Sequence, residues 1–136
     1  MTLSPLNGQS LLVVEDEALI ALDIASTLED AGAAVTVASS FVPAMRLAEI
    51  GDFSAAILDH GLPDGDSARI YECLASRGIP FVIHSGHTEL QIPYPNAVIV
   101  TKPAPAEMLA QAVAKLLKTA TVGSVRRADD TATFAG

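Results

Sequence analysis

Tryptophan is absent from the 136 residues, aromatic side chains make up 4%, and there is a single cysteine, Cys73. One thiol cannot form a disulfide framework within the chain, so a packed core must hold the fold and a reducing cytoplasm is the expected setting. Positive charge is scarce as well. Eight Lys and Arg stand against 16 Asp and Glu, a formal net charge of -8. That balance argues against the basic face needed to bind nucleic acid or anionic membrane. In the tail, Arg126 and Arg127 are offset by Asp129 and Asp130. No apolar run approaches the roughly 20 residues of a membrane-spanning helix. The opening MTLSPLNGQS has neither a basic nor an apolar region, so a signal peptide is not expected.

Hydrophobic residues are plentiful, at 50%. They fall in short runs alternating with longer amphipathic stretches. Leu11–Val14, Ala34–Ala38, Ala55–Leu58, Phe81–Ile83 and Val98–Val100 read as strands. Helical spacing follows each of the first three, with Leu19, Leu22, Ile24 and Leu28 in the first helix and Val42, Met45, Leu47 and Ile50 in the second. The first helix is expected to stop at Gly32. The second would be capped by Ser39 or Ser40 and stop near Gly51. A third covers about 67–78, and a last one about 106–117 carries Met108, Leu109, Val113, Leu116 and Leu117. Strands alternating with helices imply a parallel sheet covered on both faces. The crossover from Thr88 to Ala97 holds Pro93 and Pro95, which disfavour a regular helix. We therefore expect an N-terminal extension over 1–9, one domain over 10–118 and a mostly disordered tail over 119–136.

Every informative polar residue falls at the carboxyl end of an expected strand. Glu15 and Asp16 follow the first, Asp59 the third, Ser85 the fourth and Lys102 the fifth. In an open parallel sheet those ends converge on the edge where ligands bind. Three carboxylates gathered there repel one another, and a hard cation such as Mg2+ relieves that while keeping waters and phosphate oxygens as further ligands. Asp59 then suits a nucleophile towards phosphorus. Lys102 supplies positive charge to the phosphoryl oxygens, and the Ser85 hydroxyl a hydrogen bond.

Taken together, LLVVEDE, AILDHGLPDGD, HSG and TKP resemble the response-regulator receiver family, in order and spacing, over about residues 10–118. The resemblance implies a flavodoxin-like, doubly wound (βα)5 fold with a five-stranded parallel sheet. It implies Asp59 as phospho-acceptor, with Lys102 and Ser85 as the conserved-type lysine and switch hydroxyl of the site. It further implies Asp16, Asp59 and the Gly61 backbone carbonyl as Mg2+ ligands, with Glu15 acting through water. The expected phosphodonor is a histidine kinase or histidine phosphotransfer protein, and output passes by contact with a downstream protein. Pro80–His87 is similar to the PFxFATGY signature of the FATGUY receivers, mostly stand-alone proteins with an altered or shortened fourth helix. Ile99 stands where the family usually has an aromatic switch residue, and Ala104 where it has Phe after Lys-Pro.

Other readings exist for these residues. An acidic pair after a strand also suits a helix amino-terminus. A receiver fold can serve as a phosphorylation-independent interaction module. A flavin carrier of the same topology is disfavoured, because Glu15-Asp16-Glu17 would repel the flavin phosphate. His60, His84 and His87 have no standard zinc spacing. The simplest expectation is that His60 and His87 line the mouth of the site while His84 packs beside it. Cys73 reads as a small buried hydrophobe.

Overall fold

The computed structural model describes residues 4–62, 65–86 and 94–119. The strands are β1 (Ser10–Val14), β2 (Ala34–Ala38), β3 (Ala55–Asp59), β4 (Phe81–Ser85) and β5 (Ala97–Thr101). Three helices are α1 (Ala18–Asp30), α2 (Phe41–Ile50) and α3 (Ser67–Ser76). A fourth, α4, spans residues 106–119.

All strands pair in parallel in the order β2-β1-β3-β4-β5. This is the flavodoxin-like arrangement. The chain runs outward from β1 to β2, then returns to build the other half from β3. That reversal opens a crevice at the carboxyl ends of β1 and β3. The inner strands β3 and β4 are buried along their whole length, which explains why they read as unbroken apolar runs rather than alternating ones.

Alternate side chains feed two cores. On one face Leu12, Val14, Leu58, Phe81 and Ile83 meet Ala44 and Ala48 of α2 and Ile70, Tyr71 and Leu74 of α3. On the other, Leu11, Val13, Ile57 and Val82 meet Ile24 and Leu28 of α1 and Leu109 and Val113 of α4. Leu6, ahead of β1, is fully buried in this second core, and its N–H donates to the Ala31 carbonyl at 3.0 Å. Arg77, just past α3, donates from Nη1 to the carbonyls of Ala48 and Gly51, each at 2.7 Å.

Helix faces differ from the sequence reading in three places, one of them Met108 of α4, which is 48% exposed while Leu109 and Val113 form the buried face. Leu19 and Leu22 of α1 are 81% and 62% exposed, and the buried face is Ala21, Ile24, Ala25 and Leu28. In α2 the large Val42 and Ile50 face outward while Ala44 and Ala48 pack inward. Small alanines let these helices approach the sheet closely, so the larger side chains lie on the flanks. Ser40 occupies the N-cap position of α2 without a side-chain capping bond. The first helix ends at Asp30, before Gly32, whose φ of 102° turns the chain towards β2.

Residues 94–96 lead into β5 without helix. The rest of the expected irregular crossover, and the tail from residue 120, lie outside the described residues. No helix among them is long and apolar enough to cross a membrane.

Candidate phosphoryl-acceptor site

Four strand ends deliver the site. Val14 ends β1, so Glu15 and Asp16 stand at its exit; Asp59 and Ser85 are the last residues of β3 and β4; Lys102 follows β5 directly. Glu15, Asp16 and Asp59 can each place one carboxylate oxygen within 4.8 Å of the others. Glu15 and Asp59 are buried, whereas Asp16 faces outward. Lys102 Nζ lies 2.8 Å from Asp59 Oδ1. The same oxygen accepts the Gly61 N–H at 3.2 Å. Ser85 is buried beside them, and its carbonyl accepts the Lys102 N–H at 2.7 Å, which ties the lysine backbone to the end of β4. The Lys102–Pro103 peptide is cis.

The charges at the site are unevenly compensated. Burial by itself would raise the Asp59 pKa, but the Lys102 ammonium, the Gly61 N–H and the nearby Asp16 outweigh it, and the carboxyl is held below its ordinary value. Asp59 is therefore an anion at neutral pH. Burial would likewise lower Lys102, yet Asp59, Glu15 and Glu17 raise it above its ordinary value. Glu15 moves the other way. Burial and the Asp59 charge push it up to about 7, against the lowering effects of the Glu17 N–H and Lys102. Its Oε2 accepts the Glu17 N–H at 3.0 Å, while Oε1 is buried without a partner. An under-compensated carboxyl beside two others is the setting that a hard divalent cation satisfies. The residues present thus fit such an ion.

The three histidines of the sequence separate. His60 follows Asp59, and its Nδ1 is 2.8 Å from the Tyr71 hydroxyl. His84 is buried on the α1 side, with both ring nitrogens lacking a partner. Burial, then the Lys102 charge, lowers its pKa, so the ring is neutral. It borders a shallow cleft of about 330 Å³ together with Leu19, Ile20, Asp23 and Lys102. His87 lies outside the described residues. Cys73 is partly buried in α3, and burial raises its thiol above the ordinary value. The Tyr71 partnership of His60 was not legible in the sequence, since only the fold brings α3 against the end of β3.

The fold and this set of strand-end residues can be compared with known proteins. The sequence matches no family model and no curated protein. Solved structures match well. A response regulator receiver protein from Sinorhizobium medicae is 30% identical, with a TM-score of 0.74 over 81% of this chain and 94% of that one. The receiver domain of a Francisella response regulator is 26% identical, with a TM-score of 0.72 over 83% and 99%. The receiver domain of a sensor histidine kinase from Pseudomonas aeruginosa, which has a magnesium ion coordinated in its active site cleft, shares the fold at 21% identity and a TM-score of 0.72 over 82% and 98%. This chain belongs to the response regulator receiver family.

Proposed function

We propose that this receiver accepts a phosphoryl group on Asp59 from a phosphohistidine donor and signals or relays through protein contact. The observation that carries the reading is the Lys102–Asp59 pair at the carboxyl edge of the sheet, with Glu15 and Asp16 beside it. Asp59 is ionised and therefore nucleophilic. One of its oxygens attacks phosphorus, the phosphorus–nitrogen bond of the donor breaks, and the departing imidazole takes up a proton. Lys102 is close enough to follow the phosphoryl oxygens as negative charge moves onto them, and Ser85 offers a hydroxyl from the neighbouring strand end.

Asp16, Asp59 and the Gly61 carbonyl, with Glu15 through water, would hold Mg2+, which neutralises phosphoryl charge when bound. The aspartyl phosphate is later discharged when water attacks phosphorus and the Asp59 carboxylate leaves. A donor protein must cover the rim of the site to deliver its group. The exposed Leu19 of α1 lines a cleft with Lys102 at that rim, and the exposed Leu22 lies three residues further along the same helix; together they offer the donor an apolar footing. The working unit in this reading is the domain over about 10–118, with a histidine kinase or histidine phosphotransfer protein upstream and a further protein downstream.

Intact mass after incubation with Mg2+ and acetyl phosphate tests the proposal. A gain of one phosphoryl group by the wild type and none by Asp59→Asn is expected. No gain from acetyl phosphate or from any purified phosphohistidine donor would leave a phosphorylation-independent interaction module as the reading.

A further inference from the structure

Four rings form a continuous stack along the α3 face of the sheet, beginning next to the acceptor. The His60 and Tyr71 ring centroids are 6.0 Å apart with planes inclined by 17°. Tyr71 stacks on Phe81 at 5.5 Å, again inclined by 17°. Phe81 meets Tyr94 at 5.7 Å, tilted by 57°. The stack thus starts at the carboxyl end of β3, crosses through α3 to the start of β4, and ends at the residue leading into β5.

His60 is fixed at three points. Its N–H donates to the His84 carbonyl at 3.2 Å, its carbonyl accepts from Ser67 Oγ at 3.1 Å, and its Nδ1 meets the Tyr71 hydroxyl at 2.8 Å. It also lies between Asp59 and Gly61, which are joined by the bond from the Gly61 N–H to Asp59 Oδ1. A phosphoryl group on either Asp59 oxygen changes the charge and the bonding of the carboxyl that accepts this bond, and His60 is tied to that carboxyl through its own backbone. Tyr71 is buried, and burial raises its hydroxyl well above the ordinary value, so it stays a neutral hydrogen-bonding partner. Phe81 is fully buried between Tyr71 and Tyr94, in a core too densely packed for one ring to move independently of its neighbours. The Tyr94 carbonyl accepts the Ala97 N–H at 3.2 Å, which joins the last ring to the first residue of β5. Ile99 in the middle of β5 packs on the same core and has no ring to turn.

We propose that Tyr71 is a positioning residue for His60, and that the stack from His60 through Tyr71 and Phe81 to Tyr94 carries the change at Asp59 to the entry of β5. The inference rests on Asp59 being phosphorylated. It assigns the output end of the molecule to Tyr94 and the start of β5, at the opposite edge of the sheet from the acceptor.

The composition makes the test direct. With no tryptophan and two tyrosines, both in the stack, tyrosine signals report the stack alone. The full chain carrying ring-labelled tyrosine is followed by NMR with Mg2+ and beryllium fluoride, alongside intact mass with acetyl phosphate. In the wild type both tyrosine resonances should shift. In Tyr71→Phe, which keeps the ring and removes the hydroxyl, and in His60→Leu, Asp59 should still gain its phosphoryl group while the Tyr94 shift falls at least twofold. A phosphorylated wild type with an unmoved Tyr94, or an undiminished Tyr94 shift in both variants, overturns the stack and leaves the phosphorylation reading intact. No mass gain in the wild type removes the phosphorylation reading, and this inference with it.

Discussion

Lys102 Nζ sits 2.8 Å from Asp59 Oδ1, joining side chains 43 positions apart in sequence. The lysine side chain is 33% exposed and the aspartate 5%. The pair therefore owes its value less to attraction in water than to the penalty of leaving Asp59 charged and alone. Replacing Lys102 with Met should destabilise the protein by about 1–3 kcal/mol at neutral pH, below the range for fully enclosed pairs because water reaches the lysine. It should also slow phosphorylation from acetyl phosphate by about 100-fold or more, the loss typical of one positioned charge or donor. Urea denaturation and the rate of mass gain measure the two effects separately.

Glu15 sets a pH dependence of the opposite sense from an ordinary ion-paired carboxylate. Its value in the fold is about 7 against 4.5 in a free chain. Between those values the folded protein holds the proton more tightly than the unfolded one. Stability from this group is therefore complete below the lower value, falls as pH rises through the window, and is flat above it. Glu15→Gln should match the wild type near the lower value and exceed it by about 1–3 kcal/mol at pH 8 without added metal. A magnesium salt should narrow that gap by compensating the wild-type carboxylate. Denaturation curves across the pH range, with and without the salt, check both statements.

His84 adds a second pH effect. A buried imidazole with neither nitrogen bonded wastes about 1–2 kcal/mol relative to an apolar side chain of similar size. His84→Leu should recover roughly that amount at pH 8. Burial and Lys102 hold the ring's pKa below the usual 6.5, so the unfolded chain takes up the proton first as pH falls. Wild-type stability from this group is lost below that value, and the advantage of the leucine variant should widen there. Parallel denaturation of both proteins at pH 8 and pH 5.5 provides the comparison.

The apolar rim of α1 separates donor docking from chemistry. Leu19 and Leu22 are exposed, so replacing both with Ser should change stability by less than about 1 kcal/mol. Transfer from a phosphorylated donor protein should fall about tenfold or more, equivalent to roughly 1.4 kcal/mol of lost docking. Acetyl phosphate, which needs no protein footing, should label the variant at the wild-type rate. An equal loss with both donors would mean that the leucines serve the site itself.

The sheet was legible because its inner strands β1, β3 and β4 are almost wholly buried and read as short apolar runs between glycines, prolines and polar clusters, while the more exposed edge strands β2 and β5 are still rich in valine. The strand-end residues Glu15, Asp16, Asp59, Ser85 and Lys102 were legible for the same reason, since a parallel sheet gathers such ends on one edge. Helix faces were harder to assign. Periodicity weights Leu19, Leu22, Val42 and Ile50 as core, but Ala21, Ala25, Ala44 and Ala48 occupy it, because close approach to the sheet favours small side chains over large ones. The bond between His60 and Tyr71 depends on how α3 lies against β3, and no local signal announces that. Leu6 belongs to the N-terminal extension expected over 1–9, and its place in the second core beneath α1 and α4 has no signal of its own in the sequence.

The strand order also fixes when the site can come into being. All three carboxylates lie in the first 59 residues, at the carboxyl ends of β1 and β3, which pair with each other at the centre of the sheet. Their counter-charge comes 43 residues after Asp59, behind β5, an edge strand that pairs only with β4. As the chain leaves the ribosome, mutual repulsion is thus synthesised before its remedy. The acidic corner becomes a place of attraction only when the final strand docks.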